Sequence, residues 1–143
     1  MNLARKKLLL LLFLLLFAAC SAGAGAQKVV SNPEVLAEAA DRGELKGNPD
    51  TLLELAEYYY GRQKFQESLN VVQKVIADHT GTFQSDYAYY LKGMIYADVL
   101  NFNMDLRQAA AAFRMVVSSP PESDFDERAQ KELERIKRRF YEQ

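Results

Sequence analysis

Few side chains in this sequence could take part in covalent, metal or proton-transfer chemistry. The 143 residues include one cysteine, Cys20, and one histidine, His79. A zinc site needs several Cys or His ligands, and a serine nucleophile needs a base, which here could only be His79. Residues 77–81 around this histidine are typical of a helix end. A surface or capping role is therefore favoured for His79 over a catalytic one.

The carboxylates and glycines add no reactive pattern. Asp124 and Asp126 stand where a helix is predicted to begin, and negative charge there stabilises the helix dipole. Gly23 and Gly25 lie in a segment of small residues, and the other glycines are isolated, so no phosphate-binding loop is predicted. We expect no cofactor, no metal site and no enzymatic activity. A small hydrolase subunit is the alternative, and it would need a second reactive group near His79.

The N-terminus has the three parts of an export signal. Residues 5–7 are basic, residues 8–17 are uninterrupted apolar residues, and Ala18 and Ala19 are small. The apolar run is shorter than the roughly 20 residues that a membrane-spanning helix needs. We therefore predict that residues 1–19 are a signal peptide.

Cys20 follows these alanines directly, and the arrangement resembles the lipobox of bacterial lipoproteins. The resemblance implies that Cys20 is acylated and becomes the new N-terminus. The next residue is Ser21 and not the Asp that favours inner-membrane retention, so the resemblance implies the outer membrane. The alternative is an ordinary cut between residues 18 and 26, which leaves Cys20 free or removes it. A lone cysteine in an oxidising compartment has no disulfide partner, which favours the lipid. We predict an anchor on the periplasmic side of the outer membrane, followed by a flexible tether over residues 20–32.

The charge of the exported chain argues against nucleic acid as a partner. Without residues 1–19 the chain keeps 15 Lys and Arg against 19 Asp and Glu, a net charge of −4. Nucleic-acid binding proteins carry a basic surface, which such a balance does not favour. The remaining residues are enough for one domain with a single core.

The chain after the tether shows helical periodicity only. Start signals such as Asn48-Pro49-Asp50 and stop signals such as Pro120-Pro121 divide it. We predict a short helix over residues 34–42 and a long one over residues 123–141, with four helices between them. Those four are expected to cover residues 49–61, 65–80, 85–100 and 106–117.

The four central helices form two pairs whose spacing resembles the tetratricopeptide repeat (TPR). The second pair carries the small, aromatic and proline positions of that repeat at Tyr89, Gly93, Tyr96, Ala109, Phe113, Val116 and Pro121. The resemblance implies an all-α domain over residues 33–143, built as a right-handed superhelix of stacked helix-turn-helix pairs. Repeat one is predicted at 49–80, repeat two at 86–121 and a capping helix at 123–141.

Three segments also resemble the BamD (ComL) family: residues 86–93 (DYAYYLKG), 105–114 (DLRQAAAAFR) and 121–123 (PES). That family consists of TPR lipoproteins of the outer-membrane β-barrel assembly machinery. The resemblance implies a lipid-anchored scaffold that binds other envelope proteins, including assembly components. The family carries about five repeats and this sequence two, so a half-length relative with a different partner stays open. A pilotin-like or peptidoglycan-complex accessory lipoprotein is the alternative.

The predicted partner-binding surface is the concave face of the first helix of each pair. In this register it presents Leu53, Glu57 and Tyr60 from repeat one and Tyr87, Tyr90 and Met94 from repeat two. The alternative is that residues 29–45 fill this groove. Uncapped repeat ends also leave a dimer open.

The last predicted helix carries a cluster of basic residues: Lys131, Arg135, Lys137, Arg138 and Arg139. These side chains could contact anionic lipid headgroups. A solvated helix face, with Glu127–Lys131 and Glu134–Arg138 pairs four residues apart, is the favoured interpretation.

Overall fold

The computed structural model describes residues 32–41, 48–119 and 123–141. The predicted signal peptide, Cys20 and Pro121 lie outside the described residues. Within them the regular structure is entirely helical, as predicted. The helices are α1 (Pro33–Asp41), α2 (Pro49–Gly61), α3 (Phe65–Asp78), α4 (Phe83–Ala97), α5 (Leu106–Val117) and α6 (Asp124–Tyr141).

Side-chain caps explain where most of these helices begin. The Asn48 carboxamide accepts a hydrogen bond from the Thr51 amide at 2.8 Å, with Pro49 in the first turn, as the sequence predicts. Asp105 caps α5 by accepting from the amides of Arg107 and Gln108. Each cap satisfies amide groups that have no partner inside the helix.

The bounds of α4 differ from the predicted ones. The helix begins at Phe83, because Thr82 and Ser85 form a reciprocal capping box in which each side chain binds the other residue's backbone. It ends at Ala97, three residues before the predicted end. Asn101 lies buried in the following turn, where its side-chain amide donates to the Ile95 carbonyl at 2.9 Å. This hydrogen bond gives a carbonyl at the end of α4 a partner. It also fixes the conformation of the long α4–α5 turn against the helix.

The first helix pair, α2 and α3, packs with α4 around one apolar cluster. Its fully buried members include Leu55, Val72 and Ile95. Where α2 and α3 approach closely the side chains are small: Ser68 is buried, and its hydroxyl donates to the Ala56 carbonyl at 2.7 Å. Small residues at this crossing let the two helices pack at short distance.

A second apolar cluster joins α4, α5 and α6 around Phe113, which has no exposed surface. The ring lies directly against Gly93 of α4: a Cβ added to Gly93 would stand 2.5 Å from the Phe113 ring. Gly93 is therefore required by close packing, as expected for the small position of a TPR. The stacked pairs, with apolar residues shared between neighbouring pairs, form the all-α TPR-like fold that the sequence predicts.

Candidate functional site

The first helices of the two pairs, α2 and α4, and the last helix, α6, lie side by side. Phe125 at the start of α6 packs on Tyr87 near the start of α4. Ile136 and Arg139 near the end of α6 line a hollow together with Met94 near the end of α4. Because start meets start and end meets end, α6 runs parallel to α4. It therefore extends the surface on which partner binding was predicted.

Four aromatic rings cover the part of this surface nearest the helix starts. Phe125 stacks on Tyr87 with centroids 4.6 Å apart, and its ring lies 5.5 Å from those of Tyr90 and Phe83. Tyr90 also packs on Phe113 at 5.7 Å. This aromatic cluster fastens α6 to α4. Tyr87 and Tyr90 thus serve internal packing. Their partner Phe125 lies 38 and 35 positions away in the sequence, and periodicity did not predict these contacts.

Leu53 and Glu57, which were also predicted to contact a partner, make contacts within the domain. Leu53 is 5% exposed and belongs to the core around α2, so the expectation that it is presented at the surface is wrong. Glu57 is only partly exposed, and its carboxylate accepts a hydrogen bond from the Tyr87 hydroxyl of α4. Partial burial, and then the Glu54 carboxylate nearby, raise the pKa of Glu57. The Tyr87–Glu57 bond therefore ties α2 to α4.

The remaining predicted residues, Tyr60 and Met94, line an open groove near the helix ends. The groove has a volume of about 290 Å³ and is referred to below as the α4–α6 groove. Its lining residues are Tyr60, Met94, Ala97, Asp98, Val99, Leu106, Glu132, Arg135, Ile136 and Arg139. The lining combines apolar side chains, among them Met94 and Ile136, with charged ones such as Asp98 and Arg139, a mixture typical of protein contact sites.

Two polar pairs are fixed in the wall of the α4–α6 groove. The Tyr60 hydroxyl donates to the Asp98 carboxylate at 2.8 Å, and burial followed by this bond raises the pKa of Tyr60 to about 12. Tyr60 therefore remains a neutral hydrogen-bond donor at physiological pH. On the α6 side, Arg135 donates to Glu132 at 2.6 Å. The two bonds hold these polar groups at fixed positions in the groove wall.

The described part of the N-terminal segment does not cover this groove. Helix α1 places Leu36, Ala37 and Ala40 against the first apolar cluster, and the Tyr59 hydroxyl donates to the Ala37 carbonyl at 3.5 Å. Among the described helices, α1 packs against α2 alone. Helix α1 therefore lies on α2 and outside the α4–α6 groove, and residues 29–31 and 42–45 lie outside the described residues.

The residues that were considered as catalytic candidates lie at helix ends. His79 is the C-cap residue of α3, its amide donating to the Val75 carbonyl, as the sequence interpretation favoured. Ser123 donates to Asp126 at 2.9 Å at the start of α6. In the described ranges, no group of three His, Cys, Asp or Glu residues is placed to hold a metal ion.

Comparison with known proteins identifies the family. Residues 46–143 match the family model YfiO, described as an outer membrane lipoprotein. The chain belongs to the YfiO family. The resemblance to BamD-like TPR lipoproteins seen in the sequence is thereby confirmed, and the match covers all of α2–α6. Neither the curated proteins nor the solved structures that were compared include a match to the chain.

YfiO membership places the protein in the bacterial envelope, at the outer membrane. No helix in the described ranges has both the length and the apolar character needed to cross a bilayer. Members of this BamD-like family are scaffold lipoproteins that act with outer-membrane assembly components. The family match thus gives the general class of the protein.

Proposed function

We propose that this chain is a non-enzymatic scaffold, held by a lipid on Cys20 on the periplasmic side of the outer membrane. Its α4–α6 groove binds a segment of another envelope protein, within the class of outer-membrane assembly components. The observation that carries this proposal is the groove itself, which lies open between parallel helices and is lined by both apolar and charged side chains.

The groove chemistry favours an extended or helical peptide segment with an apolar side chain. Met94 and Ile136 offer apolar surface from opposite walls, and methionine adapts its shape to different partners. Arg135 and Arg139 lie on the α6 side, where an acidic or backbone carbonyl group of the segment would find donors. We infer that Tyr60 and Met94 contact the partner, whereas Leu53, Tyr87 and Tyr90 act by holding the helices together.

Filling the groove should remove partner binding without unfolding the domain. In an Ala97→Arg variant a long charged side chain is placed in the groove wall, so we expect recovery of the crosslinked envelope partner to fall at least about tenfold. Ala111→Arg on the exposed face of α5 is the matched control and should leave recovery unchanged. Both proteins are first compared by thermal melting. Equal recovery with both folded variants would place the partner site outside this groove.

A further inference from the structure

Exposed apolar side chains gather at one edge of the helical stack. Of the eight large hydrophobic residues most exposed in the described ranges, five lie in the α4–α5 turn or at the end of α6. They are Val99 (70% exposed), Leu100 (64%), Phe102 (fully exposed), Met104 (44%) and Phe140 (53%). Monomeric proteins rarely keep such a group in water, so a concentration of this kind indicates a contact surface.

The backbone of the α4–α5 turn is fixed, so this exposure is built into the fold. Asn101 is 5% exposed, its carboxamide oxygen accepts from the Asn103 amide at 3.0 Å, and its carbonyl accepts from the Met104 amide at 2.9 Å. The Asp105 amide closes the turn on the Tyr96 carbonyl at 2.9 Å. With Asn101 pointing inward, Phe102 is held outward.

Three parts of the chain meet at this edge. Residues 63–67, from the α2–α3 turn and the start of α3, line the same hollow as residues 100–103. Because α6 runs parallel to α4, its C-terminal end lies beside the end of α4, where Arg139 lines the groove with Val99. We call the surface formed by residues 62–64, 98–105 and 137–140 the turn edge.

The turn edge is basic as well as apolar. Its basic residues are Arg62, Lys64, Lys137, Arg138 and Arg139, and its acidic residues are Asp98 and Asp105. Two more carboxylates border it: Glu34, which pairs with Arg62, and Glu67 at the start of α3. The first two carboxylates are occupied internally, Asp98 by the Tyr60 hydroxyl and Asp105 by two amides of α5. Basic residues beside exposed apolar ones are the combination that binds an anionic phospholipid surface.

The chain also enters the domain at this edge. Glu34, in the first turn of α1, lies 3.5 Å from Arg62 in the α2–α3 turn. Twelve residues lie between Cys20 and Pro33, a span of at most about 45 Å. Helix α1, which follows the predicted tether, therefore begins next to the turn edge.

From these observations we propose that the turn edge docks on the phospholipid surface of the membrane that carries the anchor. Phe102 and Leu100 enter the interfacial layer, and the basic residues other than Arg139, which lines the α4–α6 groove, contact anionic headgroups. This inference rests on the proposed lipid anchor and adds an orientation: the helices stand with their α4–α5 turn on the membrane, and the aromatic cluster points away from it.

Tryptophan fluorescence tests this orientation, since the chain contains no tryptophan. The acylated full chain with Phe102→Trp is reconstituted in phosphatidylethanolamine–phosphatidylglycerol vesicles with brominated acyl chains. The control is Phe83→Trp, at the opposite end of α4 and also more than half exposed. We expect the Phe102→Trp emission to shift to shorter wavelength and to be quenched several-fold more strongly than that of Phe83→Trp.

Flotation of the same vesicles separates the possible failures. Protein that floats with weak, equal quenching of both variants overturns docking while the anchor stands. Protein that does not float overturns the anchor and the docking together. A short-wavelength shift that depends on protein concentration, without quenching by brominated chains, assigns the turn edge to contact between copies and also overturns bilayer docking.

Discussion

Replacing Phe113 with alanine is expected to lower the free energy of unfolding by about 3–5 kcal/mol. The ring is fully buried, packs against Gly93 and Tyr90, and joins α4, α5 and α6 in one cluster. Its removal leaves a cavity that Gly93 cannot fill, because glycine has no side chain. For a domain of this size the melting temperature should fall by more than about 10 °C.

Met115→Ala provides the control for this loss of stability. Met115 lies on the same helix two residues later and is 47% exposed, so its truncation should change stability by no more than about 0.5 kcal/mol. Circular dichroism melts of the two variants and the parent chain give the comparison. If the Phe113→Ala and Met115→Ala proteins had the same melting temperature, the second apolar cluster would not be what holds the repeat together.

Replacing Cys20 with serine should remove the protein from the outer membrane. A serine hydroxyl is not acylated by the lipoprotein pathway that the lipobox implies, and the described helices offer no membrane-spanning segment in its place. We expect an unprocessed precursor or a soluble periplasmic form. Fractionation of the envelope, with mass spectrometry of the N-terminal peptide, measures both the location and the acyl group.

Ser21→Ala is the matched control, because it changes a hydroxyl next to the proposed acylation site and leaves the cysteine in place. That variant should still carry the lipid and fractionate with the outer membrane. If the Cys20→Ser protein fractionated as a processed outer-membrane species, the anchor would be a feature of the chain other than Cys20.

Local patterns predicted most of the helices. Asn48, Asp105 and Ser123 each cap a helix at or next to its predicted start, because a side-chain oxygen followed by free amides is a short-range arrangement. The start of α4 was missed because its capping box carries Ser85 where the usual pattern has Glu or Gln. The left-handed residue after α2 is Gln63 (φ 60°), although the sequence had suggested Gly61 as the break.

The candidate site was predicted in part, and the misses share a cause. Helical periodicity assumes one apolar stripe, whereas α2 is contacted by α1, α3 and α4 and buries a wider part of its circumference. Leu53 was therefore placed on the surface when it belongs to the core. Tyr60 and Met94 do line an open groove, but its second wall comes from α6, whose position depends on contacts between residues far apart in sequence.

The ion pairs of the basic cluster of α6 were also predicted only in part. The predicted Glu127–Lys131 pair is present at 2.6 Å, whereas Arg138 donates to the Glu134 backbone carbonyl at 3.4 Å and makes no pair with its carboxylate. Arg135 pairs with Glu132, three residues away, in the wall of the groove. Sequence spacing shows which residues are close enough to pair, and the side-chain conformations determine which of these pairs form.

Site-specific photocrosslinking in intact cells tests the central claim most directly. A photoreactive amino acid is placed at Ala97 in the α4–α6 groove and, as the matched control, at Ala111 on the exposed face of α5. The account predicts one dominant adduct with an envelope protein at position 97, absent at position 111 and lost from the Cys20→Ser background. Adducts of equal yield at the two positions, or an adduct only at position 111, would contradict it.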